Sequence, residues 1–219
     1  MRFSVSLRGV SLGFTAATLI AASAAWALPA NSSSGAGTSA AAASNPSWLA
    51  GGTARLDRTL DSQTAKPGER IEAKLDHTVK TPDGMELPGG TQLMGRVAAV
   101  TPSQADGPST ISVLFNKAEL KNGRTIPVKV TVTGAFPNDE NQLAGYGEAS
   151  MGPAERHVSL KDRFDQEPGT LSHIAMMSRA SGANSATFSD KQGNVKLRAG
   201  TFLQLGIARR NGNMTSSGA

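Results

Sequence analysis

The 219-residue chain contains no cysteine. Its fold therefore cannot be cross-linked by disulfides, and thiolate metal sites and thiol nucleophiles are excluded. Aromatic residues are also scarce, at 5% of the chain, and hydrophobic residues reach only 38%. With 24 glycines and 11 prolines besides, this composition predicts one domain with a modest core, surrounded by long irregular segments and tails.

The chain also lacks a strong excess of charge of one sign. The chain carries 22 basic and 17 acidic residues, and the two signs are mixed along its length. A chain without a basic patch lacks the electrostatic footprint that nucleic acid requires. We therefore expect no nucleic-acid partner, despite a formal net charge of +5.

The sequence also lacks the patterns that carry chemistry. His77, His157 and His173 are far apart and have no metal-ligand spacing, and there is no nucleophile elbow, P-loop or dinucleotide fingerprint. The carboxylates within residues 161–167 could in principle serve glycoside hydrolysis, but their interleaved Lys and Arg indicate a solvated loop. The sequence therefore predicts no catalytic residue, no cofactor and no metal.

The N-terminus has the three parts of a secretory signal peptide. Arg2 and Arg8 precede a mildly apolar stretch at residues 10–20, and a small-x-small pattern follows at residues 25–27. This order predicts a signal peptide over residues 1–27, cleaved after Ala27, and hence a periplasmic or secreted protein. An uncleaved membrane anchor is the alternative, and no later segment is apolar enough to span a bilayer.

The rest of the chain divides by composition and period. Residues 28–52 are rich in Ser, Ala and Gly without charge, which predicts a flexible tether. From residue 53 to 209, apolar residues recur with period two, which is typical of strands. The predicted fold is all-β, an antiparallel barrel or sandwich. We expect a long polar loop at residues 134–169 and a disordered tail at 210–219.

The clearest strand, at residues 126–132, supplies four residues of the predicted core. Every second residue of it is apolar, and successive side chains on a strand face opposite sides. A strand near residues 71–79 places His77 on its apolar phase, so we expect a half-buried histidine there. Asn122-Gly123 has the chemistry of a tight hairpin turn. The predicted core consists of Ile71, Leu75, Val97, Val113, Phe115, Ile126, Val128, Val130, Val132, Leu203 and Ile207.

Two segments of the chain echo each other. Residues 87–97 and 197–207 both have the form L-x-x-G-T-x-L-x-x-x-[VI]. A glycine before threonine suits a turn or bulge that redirects the chain into the next strand. The echo indicates either a shared turn or two related halves.

The order of these motifs resembles a known family. The segments are A-x-L-x-x-x-L at 54–60, K-P-G-E-R-I-E-A at 66–73, L-P-G-G-T-Q-L-M-G-R-V at 87–97, N-G-R-T-I-P-V-K-V at 122–130 and L-R-A-G-T-F-L-Q-L at 197–205. Together they resemble the C-terminal β-barrel domain of the TrbI-like proteins of conjugation and type IV secretion machines. They are also similar to small exported bacterial proteins with the same strand order.

The resemblance implies a fold and a cell-envelope setting. The TrbI-like proteins carry an inner-membrane segment, a long Pro-rich stalk and a hydrophobic helical hairpin between late barrel strands. This chain instead has a signal peptide, a short tether and the polar loop at 134–169, so the resemblance does not imply a pore or a secretion function.

Three function classes follow. A non-enzymatic structural or interaction module of the cell envelope fits best; a ligand-binding barrel or sandwich is second, and a small secreted hydrolase is third. Phe136, Tyr146 and Phe164 lie among mixed charges in and beside the polar loop, and are candidates for a surface that contacts an envelope protein or a glycan.

Overall fold

The computed structural model describes residues 47–104, 107–138 and 157–210, all within one compact unit. These residues form strands and no helix, so no helix among them is long and apolar enough to cross a membrane. The strands are β1 (Trp48–Leu56), β2 (Leu60–Asp61), β3 (Arg70–Leu75), β4 (Val79–Lys80), β5 (Glu86–Leu87), β6 (Gln92–Thr101), β7 (Ser109–Glu119), β8 (Thr125–Phe136), β9 (His157–Ser159), β10 (Arg163–Leu171), β11 (Ile174–Arg179), β12 (Ala186–Asp190), β13 (Lys196–Leu197) and β14 (Phe202–Arg209).

Six of the strands close into an antiparallel barrel. The order around the ring is β7–β6–β3–β1–β14–β8, and β8 returns to pair with β7. This confirms the all-β antiparallel fold and selects the barrel over the sandwich. Outside the ring, β12, β11 and β10 extend the sheet from β7, β9 pairs with β1, and β2–β13 and β4–β5 form two short satellite ladders.

The predicted core is confirmed. Each of its eleven residues is at most 6% exposed and belongs to one continuous cluster inside the barrel. Burying a side chain of this size contributes about 1.5–3 kcal/mol, which compensates for the low aromatic content. The hairpin turn at Asn122-Gly123 is also present, with only Gly123 at positive φ (79°) and a hydrogen bond from the Gly123 N–H to the Leu120 carbonyl at 2.9 Å.

The boundary between tether and domain lies earlier than the sequence predicted. Strand β1 begins at Trp48, so the last five residues of the predicted tether are strand. The glycines that made this stretch look like a linker have a packing role. A Cβ on Gly52 would lie 2.7 Å from a methyl group of Val79, and Leu49 is fully buried. Residues 28–46, like the predicted signal peptide, lie outside the described residues.

The predicted loop at 134–169 is shorter than expected at both ends. Its first three residues complete β8, and β9 and most of β10 occupy its last part. Strand β10 escaped detection because it lies at the edge of the sheet, where its side chains stay largely exposed and polar. Gln166 on β10 hydrogen-bonds both backbone groups of Ala135, at 2.8 and 2.7 Å. Residues 139–156 lie outside the described part of the chain.

His77 is exposed, so its predicted half-burial was wrong. The reason is that β3 ends at Leu75 and the chain leaves the ladder there, with the Asp76 N–H bonded to the Thr53 carbonyl at 3.0 Å. Period two continues by coincidence into β4. Arg210, the first residue of the predicted tail, still donates its N–H to the Pro127 carbonyl at 3.0 Å, and residues 211–219 are not described.

The barrel consists of two halves with the same pairings. Strands β1 and β3 meet at its centre, where Ala54 pairs with Leu75 and Leu56 with Ala73. Exchanging the two strands leaves this pattern unchanged, as a local two-fold axis requires. The continuous half contains β3, β4, β5, β6 and β7. The split half contains β1 and β2 from the start of the domain, β13 and β14 from its end, and β8 from between them.

The neighbouring ladders repeat in the same way. Ala54 pairs with Leu203 in β1–β14, as Ala73 pairs with Leu93 in β3–β6. On their other edges, β6 pairs with β7 and β14 pairs with β8. Both of these ladders shift register between the first and the second residue after Leu93 and Leu203, respectively. The two halves therefore share a β-bulge as well as their registers.

The echoed segments occupy equivalent turns of the two halves. The N–H of Leu56 donates to Thr201 at 3.0 Å, and that of Leu75 donates to Thr91 at 2.9 Å. Each threonine hydroxyl donates to the carbonyl three residues earlier at 2.7 Å, and the glycine before each threonine has φ near 82–83°. Equal contacts at both turns support two related halves over a merely shared turn.

The match between the halves extends to a second pair of segments. Residues 54–62 read A-R-L-D-R-T-L-D-S and residues 73–81 read A-K-L-D-H-T-V-K-T. Each segment contributes one strand of a satellite ladder, where Leu60 pairs with Leu197 and Val79 with Leu87. The halves thus agree in sequence, register and backbone hydrogen bonds.

The agreement ends where β7 and β8 diverge. These strands pair only next to the turn that joins them, and farther along β12 takes the place beside β7. Ser185 fills the point of divergence: its N–H donates to Val113 at 2.8 Å, its hydroxyl accepts from the Phe115 N–H at 2.9 Å, and its carbonyl accepts from the Val132 N–H at 2.9 Å. Strands β10–β12 therefore form an insertion into an otherwise repeated barrel.

Candidate functional site

A cleft of about 680 Å³ opens where the insertion meets the split half. One wall is the segment of residues 194–201, which contains β13, and the other is the turn between β10 and β11. Pro137 and Asn138, at the end of β8, close one side. A volume in this range suits a small ligand or part of a larger one.

The β13 wall alternates between core and cleft. Val195 and Leu197 are 0% and 2% exposed and face the core. The residues between and beside them are Asn194, Lys196 and Arg198, and these line the cleft. Because side chains alternate along an extended chain, two buried apolar residues place these three polar residues in one row.

Contacts within the fold hold part of this row in place. The Asn194 Oδ1 atom accepts from the Ser62 hydroxyl at 3.1 Å and from the Ser103 N–H at 2.9 Å. The Lys196 ammonium lies 3.7 Å from an Asp61 carboxylate oxygen. The Arg198 guanidinium forms no hydrogen bond or ion pair with any residue that the structure describes.

The opposite wall is a two-residue turn. Leu171 pairs with Ile174, which leaves Ser172 and His173 as the loop residues. Ser172 has φ of 56°, the one positive φ among the described residues that are not glycine. Two-residue hairpin turns favour glycine at such positions, and a non-glycine residue there costs free energy that the surrounding structure must offset. The turn presents the imidazole of His173 to the cleft.

A buried carboxylate lies behind that imidazole. The Nε2 atom of His173 is 2.8 Å from Asp190 Oδ2, and the Asp190 side chain is fully buried. The other carboxylate oxygen accepts the Gln192 N–H at 2.9 Å. A buried carboxylate is costly unless it is paired, so His173 is both the partner of Asp190 and a fixed feature of the cleft surface.

Asn138 is fixed through Arg55. The Arg55 guanidinium donates to Asn138 Oδ1 at 3.3 Å and to Asp76 at 3.2 Å. It also lies over the Phe202 ring, 3.9 Å from the ring centroid. The corner of the cleft is therefore tied to the central strands of the barrel.

The arrangement is suited to binding. A histidine beside a buried carboxylate is part of a catalytic triad. Here the contact is close but does not meet hydrogen-bond geometry, since Asp190 Oδ2 has no hydrogen-bond partner among the described residues, and no hydrogen bond joins the Ser172 hydroxyl to His173 among the described contacts. No group of three or more His, Cys, Asp or Glu side chains with metal-binding geometry occurs in the part of the chain that the structure describes. The cleft offers a row of polar groups, of which Asn194 is held by hydrogen bonds, and space for a ligand.

Shifted pKa values occur away from the cleft. Burial, and secondarily the charge of Glu72, raises the pKa of Asp57 above its ordinary value. Burial, and secondarily the charge of Arg210, lowers the pKa of Lys129. Neither residue lines the cleft.

The structure describes two of the three residues of the predicted interaction surface. Phe136 is 9% exposed and pairs with Phe202 across β8–β14. Phe164 is half-buried and packs against the hydrophobic clusters. Both rings therefore take part in packing. Tyr146 lies outside the described residues, and a contact surface that uses it stays a prediction.

Few features of the sequence predicted the cleft. His173 and Asp190 lie on different strands, and they meet only because β11 pairs with β12. The one local signal was the alternation of polar and apolar residues across 194–198, which falls in a short segment. Such a row matches none of the short sequence patterns that are typical of catalytic or metal sites.

Comparison with known proteins yields a weak structural likeness. No protein-family model matches the chain, and no curated protein matches it. A solved structure of ComB10, from the Com type IV secretion system of Helicobacter pylori, is similar over 74% of this chain and 86% of that chain. The sequence identity is 9% and the TM-score is 0.34, and a score this low does not establish a common fold.

Proposed function

We propose that this protein is an exported, non-enzymatic interaction module of the cell envelope, and that it holds its partner in the cleft between β13 and the β10–β11 turn. The observation that carries the proposal is the row of polar side chains along a cleft of about 680 Å³. The signal-peptide pattern at residues 1–27 and the tether behind it support an address outside the cytoplasm.

The interior of the barrel is a poor alternative site. Val97, Phe115, Leu205 and Ile207 are each at most 1% exposed, and together they help fill the space that a ligand would need. Binding is therefore assigned to the outer cleft. An envelope protein or an envelope glycan is the partner class, as the sequence suggests.

Site-specific photocrosslinking tests the proposal in intact cells. A photoreactive amino acid replaces Ala199, which is exposed and lines the cleft. The control position is Arg124, which is exposed in the β7–β8 turn of the barrel. We expect a discrete high-mass adduct from position 199 and none from position 124.

Equal adducts from both positions, or none from position 199 in correctly exported protein, would refute the proposal. Fractionation of the same cells checks the address. The protein should be recovered from the periplasm or envelope and should begin after Ala27.

A further inference from the structure

We propose that the cleft recognises an oxyanion group, a carboxylate or a phosphate, on its ligand. The inference rests on the proposed function, because it names the ligand chemistry of the same cleft. Three observations carry it. The β13 wall offers hydrogen-bond donors, two nearby acids are buried or paired, and the equivalent satellite ladder has different residues at these positions.

The side chains along the β13 wall offer donors. Arg198 carries five N–H donors and Lys196 three, and neither has an acceptor. The acceptor oxygen of Asn194 already receives two hydrogen bonds from the protein, so its amide nitrogen is the group left for a ligand. A ligand that satisfies this row must present acceptors, and charged acceptors make the strongest bonds with Lys and Arg.

Two acids beside the cleft, among the described residues, are buried or paired. The carboxylate of Asp190 is fully buried and lies 2.8 Å from the His173 imidazole. The side chain of Asp61 is 19% exposed and lies 3.7 Å from the Lys196 ammonium, whose side chain is 59% exposed. An exposed ion pair this long contributes little free energy, so Lys196 can turn towards a ligand.

The continuous half shows that the fold does not need these donors. Its β4–β5 ladder is equivalent to β2–β13, with Leu87 in the place of Leu197. Around Leu87, the positions equivalent to Asn194, Lys196 and Arg198 hold Gly84, Glu86 and Pro88. The same ladder therefore forms without a single donor side chain in that row, so the pairing of the two strands does not itself require Lys196 or Arg198.

The size of the cleft indicates more than a bare ion. A volume of about 680 Å³ falls in the range of sites for drug-sized ligands. The oxyanion is therefore one group of a larger ligand, bound by Lys196, Arg198 and Asn194, while the β10–β11 turn contacts the remainder.

Calorimetric titration of the full chain tests the inference. The probes are citrate for carboxylates and pyrophosphate for phosphates, each at about 20 mM salt so that charge interactions are weakly screened. The test variant is Lys196→Gln/Arg198→Gln. The matched control is Lys80→Gln/Arg124→Gln, which removes the same charge from exposed positions, one of them in the equivalent satellite ladder.

We expect saturable one-to-one binding of at least one probe, weakened by about tenfold or more in the test variant. The control should lose less than about twofold. Preference for citrate or for pyrophosphate identifies the source of the oxyanion. Equal losses in both variants would show that net charge alone attracts the probe, and either that result or the absence of saturable binding would overturn the inference.

A second variant guards against misfolding. Arg198→Glu reverses the charge at an exposed position whose side chain has no hydrogen bond or ion pair with any residue that the structure describes. It should therefore keep the thermal unfolding curve and weaken probe binding by about tenfold or more; a folded Arg198→Glu protein that binds both probes like the unmodified chain would refute the inference.

Photocrosslinking from position 199 separates the two proposals. An adduct that persists unchanged in Lys196→Gln/Arg198→Gln would support the cleft as the interaction site and refute the recognition of an oxyanion. Saturable probe binding without any adduct would support the oxyanion site and refute the interaction with an envelope partner.

Discussion

The split half and the continuous half use one scaffold for different surfaces. Both place a leucine in the core at equal positions of a satellite ladder, Leu197 and Leu87. Around these leucines the exposed residues differ in charge, with Lys196 beside Asp61 in one half and Glu86 beside Lys80 in the other. The buried leucines and the strand pairings are repeated, so the fold requires them. The exposed residues of the ladder are not repeated, and the donors of the cleft are among these.

The two ends of the contact between β7 and β8 differ as well. Next to the β7–β8 turn the two strands pair directly, whereas at the opposite end the insertion separates them. The cleft exists only on the side of the insertion, because the β10–β11 turn forms its second wall. The insertion thus forms a cleft beside the satellite ladder of one half of the barrel and not beside the equivalent ladder of the other half.

The largest expected effect tests whether the halves are equivalent in packing. Leu87→Ala and Leu197→Ala each remove a side chain that is at most 2% exposed. Each should lower the free energy of unfolding by about 2–5 kcal/mol, through lost burial and the cavity that remains. Urea unfolding measures both. A cost below about 1 kcal/mol at only one of the two positions would show that the scaffold is not shared.

The repeated scaffold was the predictable part of the molecule. Alternating apolar residues predicted the strands and the core, since period two depends only on neighbouring residues. The echo of 87–97 in 197–207 suggested two halves. Its companion, 54–62 and 73–81, could have been read from the sequence too, because both segments follow the pattern A-[RK]-L-D-x-T.

The cleft was not predictable from these local patterns. It depends on the contact between His173 and Asp190, which pairing of β11 with β12 creates. It also depends on an edge strand, β10, whose exposed polar side chains look like a loop. The tether boundary failed for a related reason, since the close approach of Gly52 to Val79 is a long-range contact.

A medium effect is expected at the point where the insertion enters the barrel. Ser185→Ala removes the hydroxyl that accepts the Phe115 N–H at 2.9 Å, at a fully buried position. An unpaired buried N–H costs about 1–3 kcal/mol, so the free energy of unfolding should fall by that amount. Amide hydrogen exchange should also speed up at Phe115 relative to the closed seam beside the β7–β8 turn.

The matched control for this seam is Thr187→Ala. The Thr187 hydroxyl bonds to the Ser112 hydroxyl at 2.9 Å in a half-buried place, where the remaining hydroxyl can turn to water. Its cost should stay below about 0.5 kcal/mol. If Ser185→Ala were as mild as Thr187→Ala, Ser185 would not be what joins the insertion to the barrel.

The two halves also differ in one pair of equivalent acids beside the central strands. Asp76 forms an ion pair with Arg55, 3.2 Å from its Nε atom. Asp57, its equivalent, accepts a hydrogen bond from Gln92 at 3.0 Å, yet burial and the charge of Glu72 raise its pKa above 3.8. Equivalent backbone positions therefore carry one carboxylate with a cationic partner and one that the folded state disfavours in its charged form.

The smallest expected effect is a difference in sign between these acids. A raised pKa means that the folded state binds the proton more tightly, so Asp57 lowers stability once the pH rises through its folded pKa. Asp57→Asn should therefore raise the free energy of unfolding at pH 7, by less than about 0.5 kcal/mol because the group is exposed to solvent screening. Asp76→Asn should lower it by up to about 1 kcal/mol, since it breaks an ion pair. Urea unfolding at pH 7 and near pH 3 distinguishes the causes: the gain from Asp57→Asn should disappear at the lower pH, where the carboxyl is protonated in both states. A gain that persists there would mean that packing, and not charge, distinguishes Asp57 from Asp76.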